Sequence, residues 1–282
     1  MVEKCGGLYL RIFTFRAGAN YYTIMKFKYF ILLVILPLLI SCEKPNNDLK
    51  KHNLKGRVKS INSIQSTTTY KFGELTPDKM KHKNSYTYNR QGFLIESEWS
   101  YFVRSREMFY NKQSYEYDTE GLLTTIYKYD KEGKEKERAK FKYNDQKLNT
   151  EKNEYWGDGS LLRRTLFEYD EKGNKSMLEE FDNNNIRNLS QKFFYDDNNK
   201  LIRTSELGRT QSRVINGITH ITTDSDTIVY RYNENGDEEF MQSKKYRHLY
   251  SYEYDEKSNW IKKIITREDS TKLIVERVIE YF

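Results

Sequence analysis

The sequence predicts an all-β fold, an antiparallel meander of repeated β-hairpins that forms one curved sheet, open or partly rolled. The first observation is a repeated motif, aromatic-x-Tyr-Asp/Asn. The tyrosine before its Asp or Asn recurs every 26 residues, at Tyr117, Tyr143, Tyr169 and Tyr195. The second is a half-step copy, again at intervals of 26, at Tyr129, Tyr155 and Phe181. A period of this length is typical of stacked units that bury their apolar faces on one another.

Each half-repeat contains a strand followed by a tight turn. In Tyr127-Lys128-Tyr129 the two aromatic side chains lie on one face, because side chains alternate along a strand. Asp130-Lys131-Glu132-Gly133 then has Asp first and Gly fourth, which is typical of a type I turn in a short hairpin loop. Elsewhere another residue replaces this Gly, which leaves the turn type open at Lys147, Asn199 and Ser258.

The repeat runs from Tyr86 to Phe282, with one irregular interval. Tyr195 and Tyr232 are 37 residues apart, and Asn216-Gly217 between them is flanked by β-forming residues. Asn-Gly in this setting is a strong hairpin signal, so we predict an elongated hairpin here.

The N-terminal region predicts export and lipidation. Phe30–Ile40 is an apolar run that is too short to span a bilayer but suits a signal peptide. Lys26 and Lys28 precede the run, and Ser41-Cys42 follows it. This pattern resembles the lipobox of bacterial lipoproteins, which implies that Cys42 carries lipid and becomes the mature N-terminus.

Three segments follow from these features: residues 1–41 as leader and lipoprotein signal peptide, 42–53 as a lipidated polar tether, and 54–282 as the repeat domain. A start at Met25 would give the usual compact signal peptide, and the alternative that residues 1–24 are not translated stays open. The predicted location is the bacterial cell envelope at the outer membrane, on either its periplasmic or its surface face.

Composition restricts the chemistry and the partners. The two cysteines are Cys5 and Cys42, so the processed chain would have no free thiol, disulfide or thiolate metal site. The whole chain has a net charge of +7, but residues after the signal peptide carry only +3, with the signs interleaved. No nucleic-acid partner is expected from this pattern. Charged stretches such as Glu135–Lys140 also argue against a barrel that faces lipid.

No catalytic constellation, cofactor motif or metal site is evident, and we predict that the protein is not an enzyme. The histidines are scattered, at His52, His82, His220 and His248. Three Asp/Asn clusters offer oxygen ligands for calcium, at Asp182–Asn185, Asp196–Asn199 and Asp224–Asp226. Asp and Asn are equally the preferred residues of turns, which the repeat requires at these places.

Aromatic residues make up 15% of the chain, and 24 of them are tyrosines. Packing between neighbouring strands accounts for most of them, since they recur in register with the turns. We select Trp99, Trp156 and Trp260 as candidates for binding a protein or glycan ligand.

The best copy of the extended repeat is Tyr115–Leu123, which follows the pattern Tyr-x-Tyr-Asp-x-x-Gly-x-Leu. It resembles the YD repeats of Rhs-type proteins, toxin-complex subunits and teneurins, in which a spiralling sheet closes into a shell around a cargo. This chain has too few half-repeats to enclose a cargo domain. Its last proline is Pro77, so it also lacks the proline-bearing motif that processes the cargo. The resemblance therefore implies a small YD-repeat lipoprotein without toxin delivery.

The sequence thus predicts a lipid-anchored envelope protein that acts as a non-enzymatic binding or structural module. Two alternatives stay open: an immunity or inhibitor lipoprotein that neutralises a toxin or hydrolase, and an enzyme with an unrecognised acidic site. The ends of the meander, near Leu54–Ile61 and Val275–Phe282, would be unpaired edges. Self-association through these edge strands is therefore a further expectation.

Overall fold

The computed structural model describes residues 47–282 except 105, 216 and 217, with the backbone alone for residues 209–224. Cys5, Cys42 and the predicted signal peptide lie outside the described residues. A short helix, α1 (Asp48–Lys51), precedes sixteen strands. These are β1 (Val58–Lys71), β2 (Glu74–Tyr88), β3 (Leu94–Val103), β4 (Arg106–Tyr117), β5 (Leu123–Tyr129), β6 (Glu135–Tyr143), β7 (Asn149–Trp156), β8 (Leu161–Tyr169), β9 (Lys175–Asp182), β10 (Arg187–Tyr195), β11 (Leu201–Ile215), β12 (Ile218–Tyr232), β13 (Glu238–Gln242), β14 (Arg247–Tyr254), β15 (Trp260–Arg267) and β16 (Lys272–Tyr281). Within this part of the chain, no helix has the length and apolar character needed to cross a bilayer.

The sixteen strands form one closed antiparallel barrel in which each strand pairs with its neighbours in sequence. The last strand pairs with the first, from Tyr281 opposite Val58 to Leu273 opposite Thr67. The predicted all-β antiparallel meander is confirmed, whereas the predicted open or partly rolled sheet is wrong. Strand twist accumulates along the meander and brings its two ends together, where pairing satisfies the free backbone groups of both edges. The segments predicted to be free edges are therefore paired with each other over Val58–Ile61 and Val275–Tyr281.

Most of the described turns share one geometry, of which the turn at Asp118 is an example. The Gly121 N–H donates to the Asp118 carbonyl (3.1 Å), and the Asp118 carboxylate accepts the N–H groups of Glu120 and Leu122 (both 2.9 Å). A type I turn of this kind is completed by one residue in the left-handed region. Residues other than glycine adopt the same conformation in sister turns, with φ of 60° or 61° at Lys147, Asn199 and Ser258.

One end of the barrel, which we call the tyrosine end, is marked by the last tyrosine of every second strand. These residues are Tyr88, Tyr117, Tyr143, Tyr169, Tyr195, Tyr232, Tyr254 and Tyr281. In three successive hairpins the hydroxyl donates to a backbone carbonyl of the preceding hairpin: Tyr143 to Leu123 (2.9 Å), Tyr169 to Asn149 (2.7 Å) and Tyr195 to Lys175 (3.0 Å). The repeat therefore requires tyrosine, since phenylalanine could not make this bond.

Two hairpins project past the opposite end, which we call the far end. Strands β1 and β2 pair with each other as far as Lys71 opposite Glu74. The pairing of β1 with β16 stops at Thr67, and the pairing of β2 with β3 stops at His82. Strands β11 and β12 likewise pair with each other as far as residues 215 and 218. This is beyond the points where their pairing with β10 and β13 stops. The elongated hairpin predicted between Tyr195 and Tyr232 is confirmed.

Residues 47–56, the floor segment, cross the tyrosine end. Leu49 is buried in the main apolar cluster with Val58, Ile61, Tyr88 and Leu94. At one side the Leu49 N–H donates to the carbonyl of residue 92, in the turn between β2 and β3 (3.2 Å). At the other side the segment contacts the turns after β12 and β14, through the Asn53–Asp237 and Lys55–Asn259 bonds (3.1 and 2.8 Å). Residues 47–53, predicted to belong to a polar tether, are thus part of the folded barrel end.

Asp48 anchors the floor segment through a buried carboxylate. It accepts hydrogen bonds from the Tyr117 hydroxyl (2.7 Å) and the Leu94 N–H (3.0 Å), and pairs with Lys51 (3.0 Å). Burial alone would raise the pKa of Asp48, but the two hydrogen bonds and the charge of Lys51 outweigh burial and lower it. The carboxylate is therefore bound in its charged form.

Strand pairing assigns the side chains to two faces, since directly opposed residues share a face. Tyr86 and Tyr115, which pack against the apolar cluster at the floor segment, mark the inner face. A chain of opposed partners follows this face from β1 to β7: Ile61, Tyr86, Ser97, Gln113, Lys128, Glu137 and Trp156.

Charged residues also line the outer face. Ion pairs join Lys112 to Glu96 (2.7 Å), Lys142 to Glu151 (3.0 Å) and Arg187 to Glu179 (2.9 Å) there. A barrel that spans a membrane requires an apolar outer band, and charges facing lipid are destabilising. The outer face of these strands is suited to water.

Replacing Asp48 with Asn is expected to lower the free energy of unfolding at pH 7 by about 1–3 kcal/mol, because it weakens bonds to a buried charged acceptor. The folded pKa of Asp48 is depressed, so its contribution is complete well above the ordinary value of 3.8 and is lost as pH falls through the folded pKa. Urea unfolding of both proteins from pH 7 to pH 3 measures this. Lys51→Gln is the control, with an expected cost below about 1 kcal/mol. A difference between wild type and Asp48→Asn that did not shrink at low pH would contradict this account.

Candidate functional site

The lumen contains a chain of ion pairs that runs from β5 to β9. Lys128 pairs with Glu137 (2.8 Å) and Glu154 (3.2 Å). Arg163 pairs with Glu154 (2.8 Å) and continues to Glu180 (3.0 Å), while Lys152 also contacts Glu154 (3.1 Å). All six residues lie on the inner face by register. Three cations therefore balance three carboxylates.

Glu154 is the centre of this network, with a side chain only 5% exposed. Burial would raise the pKa of Glu154, but the charges of Lys152, Lys128 and Arg163 outweigh burial and lower it. For Lys128, burial lowers the pKa, and Glu137 and Glu154 outweigh that effect and raise it. Both partners are therefore charged in the folded state, and the network is a stable polar lining of the lumen.

A cavity of about 850 Å³ lies beside this network at the far end, between β4 and β7. Its lining includes Phe109, Lys128, Glu137 and Trp156. Trp99 packs against Phe109, with 5.0 Å between the ring centroids. Strands β5 to β10 have seven to nine residues, against fifteen in β2, so the rim is lower on this side. Trp156, which lines the cavity, is 46% exposed, and Trp99, next to the cavity residue Phe109, is 38% exposed.

The third candidate, Trp260, lies elsewhere in the lumen. It is opposed to Tyr254 close to the tyrosine end, and the Arg277 guanidinium stacks on its ring at 3.1 Å from the centroid. The structure therefore places Trp156 in the cavity wall and Trp99 against a wall residue, Phe109, and it separates Trp260 from both.

The ion pairs of the lumen are not evident from the sequence. Lys128 and Arg163 are distant in sequence and meet only through Glu154, which depends on the register of several strand pairs. Alternation within each strand was the available signal, but it does not tell which face becomes the inside of a barrel.

The histidines and the Asp/Asn clusters have structural roles where their side chains are described. His82 stacks on Trp99 (5.7 Å between centroids), and His52 hydrogen-bonds the Tyr88 hydroxyl (2.9 Å). The Asp182 and Asp196 carboxylates accept N–H groups of their own turns. No group of three or more His, Cys, Asp or Glu side chains suited to a metal occurs among residues with described side chains. The side chains of His220 and Asp224 lie outside them.

No family model matches the chain, and no curated protein matches it in sequence. Among solved structures it is similar to a porin-like protein from Bacteroides uniformis ATCC 8492, with a TM-score of 0.50, 10% identity, and coverage of 80% of this chain and 98% of that one. A porin-like protein from Bacteroides vulgatus ATCC 8482 gives a TM-score of 0.37 at 10% identity, with coverage of 80% and 98%. The Photorhabdus luminescens Tc holotoxin pore gives 0.28 at 12% identity, with coverage of 71% of this chain and 14% of that one.

The likeness to the Bacteroides uniformis protein shows a common fold alone, and the two lower scores carry no argument. The prediction of a YD-repeat lipoprotein is therefore wrong: the chain forms a closed barrel, as the porin-like protein does, and not an open meander of YD repeats. The repeat period corresponds to the length of one hairpin together with the tyrosine whose hydroxyl donates to the preceding hairpin. An up-and-down barrel built from short hairpins has the same period.

Glu154→Gln is expected to lower the free energy of unfolding by about 3 kcal/mol, because it leaves three cations around a neutral group. Glu151→Gln is the matched control on the outer face of the same strand, where its partner Lys142 is 64% exposed. Its expected cost is about 1 kcal/mol or less. Chemical denaturation at neutral pH measures both changes, and similar costs for the two variants would contradict the assignment of faces.

Proposed function

We propose that this chain is a non-enzymatic binding module of the bacterial cell envelope that holds its ligand in the barrel lumen. The observation that carries the proposal is the cavity at the far end, where aromatic side chains and charged residues meet. Binding sites typically combine apolar walls with a few polar groups that fix orientation. The floor segment crosses the other end, so we assign ligand access to the far end.

The pairing of the lumen carboxylates supports a binding role over catalysis. Glu137, Glu154 and Glu180 are each held by a cation within 3.2 Å. A general acid or base needs a pKa close to the working pH, and the ion pairs move Glu154 away from that range.

The envelope location rests on two supports. Ser41-Cys42 after the apolar run resembles a lipobox, and the Bacteroides uniformis protein of the same fold is described as porin-like. The charged outer face of this barrel favours a domain that stands in water and is attached through lipid on Cys42. A channel through the bilayer is not part of the proposal.

Lipid attachment is tested by replacing Cys42 with Ser. We expect the wild-type chain to incorporate labelled palmitate and to sediment with membranes, and the variant to lose the label and keep its apolar leader. Asn47→Ser, which leaves the lipobox intact, is the control. Equal labelling of wild type and Cys42→Ser would exclude this anchor.

Ligand binding in the lumen is tested with a single cysteine that carries an environment-sensitive dye, in the chain that begins at residue 43 and so lacks other thiols. Asn111→Cys places the dye on the inner face beside the cavity, and Lys112→Cys places it on the outer face one residue later. We expect a protein-free envelope extract of the producing bacterium to change the emission of the dye at 111 but not at 112. Native mass spectrometry of the same mixture should show a small-molecule adduct.

Trp156→Ala should weaken the response at residue 111, because it removes an exposed ring from the cavity wall. Equal responses at both dye positions, or no response and no adduct, would overturn the proposal of a lumen ligand.

A further inference from the structure

A second charged region of the lumen differs from the balanced network. Arg277 and Lys263 lie on the inner face of adjacent strands, since Lys263 is opposed to Val275, two residues before Arg277. Both cations lie over one ring, at 3.1 Å for Arg277 and 5.1 Å for Lys263 from the Trp260 centroid. Two positive charges therefore share a small part of the lumen.

Neither cation forms an ion pair with a carboxylate among the described side chains. Carboxylates neutralise two other lumen cations, Lys128 and Arg163, whereas Lys175 lies over the Phe167 and Phe193 rings. The charge of Glu238 acts on Lys263 and raises its pKa, but the two side chains form no ion pair. Asp237 also acts on both cations but is bound to Asn53 and Tyr254.

The pKa shifts of the two cations agree with a site that lacks a negatively charged partner. Burial lowers the pKa of Arg277 to about 10, and burial together with the charge of Arg277 lowers the pKa of Lys263. Arg277 stays charged at neutral pH. Two like charges in a partly buried region repel each other, and an anion placed between them would relieve the repulsion.

Hydrogen-bond donors are available at the same place. A guanidinium offers a planar fork that matches the two oxygens of a carboxylate or phosphate. Across β1, Tyr86 is opposed to Ile61 and Arg277 to Ser63, which places the Tyr86 side chain near the guanidinium on the inner face. The Tyr86 hydroxyl has no hydrogen-bond partner among the described residues.

We propose that Arg277 and Lys263, with the Trp260 ring and the Tyr86 hydroxyl, form a site for the anionic group of a small organic molecule. The recognised group is a carboxylate or a phosphate. This inference rests on the proposed function, because it names the chemical class of the lumen ligand. It also gives Trp260 a role separate from that of Trp99 and Trp156.

The test uses Trp260 as its own reporter. Trp99→Phe and Trp156→Phe leave Trp260 as the single tryptophan, whose emission is followed while benzoate or phenyl phosphate is added. We expect a saturable change with at least one anion and none with benzamide, the neutral analogue of benzoate. A response to benzoate alone assigns a carboxylate, and a response to phenyl phosphate alone assigns a phosphate.

Three further substitutions are made in this background. Arg277→Gln should weaken anion binding about tenfold or more, because it removes a charge-assisted hydrogen bond. Glu238→Gln should strengthen binding several-fold, since it removes a competing negative charge, and a misfolded protein could not produce this gain. Lys262→Gln changes the neighbouring outer-face cation, which pairs with Glu253 (2.9 Å), and should leave the affinity unchanged.

The anion site is overturned if neither anion gives a saturable change, or if Arg277→Gln and Lys262→Gln bind equally well. A response of the dye at residue 111 to the envelope extract, without anion binding at Trp260, would leave the lumen-binding function standing and refute this site alone. Loss of both responses would refute both proposals.

Discussion

The pairing of β16 with β1 is the interaction on which the rest of the structure depends. It turns a meander with two faces into a barrel with an inside and an outside. Large aromatic and charged side chains on one face then become the lining of a lumen, where each polar group needs a partner or water. The ion pairs around Glu154 and the hydrogen bonds of the tyrosine end meet this need in different ways.

The recurring tyrosine has the same structural role in successive hairpins. A turn with a left-handed residue is joined to its strands through a register shift, as between Glu116 and Tyr117 opposite β5. The hydroxyl of Tyr143 reaches the Leu123 carbonyl beside that shift. One side chain thus fills space on the inner face and satisfies a backbone group of the hairpin before it. A chain built from such units can be extended by whole hairpins, because each added hairpin makes the same hydrogen bond.

Local features of the fold could be predicted from the sequence, and long-range ones could not. The turn at Asp118 and the long hairpin between Tyr195 and Tyr232 follow from residue types within a few positions of each other. Closure depends on twist summed over sixteen strands, for which no single residue carries a signal. Helix α1 has only four residues and shows no periodicity. The tryptophan candidates were chosen by residue type, which cannot tell that Trp260 lies under Arg277 while Trp156 borders a cavity.

The two projecting hairpins give the far end an uneven outline. Beyond Thr67 and His82 no further strand pairs with the β1–β2 ribbon, and β11–β12 forms a second ribbon of this kind. The β1–β2 ribbon exceeds its neighbours by four residues on β1 (Thr67 to Lys71) and eight on β2 (His82 to Glu74). At roughly 3.3 Å per residue this is a rise of about 13 to 26 Å. The two ribbons thus border the lower part of the rim on either side, and the far end opens sideways above the cavity between β4 and β7.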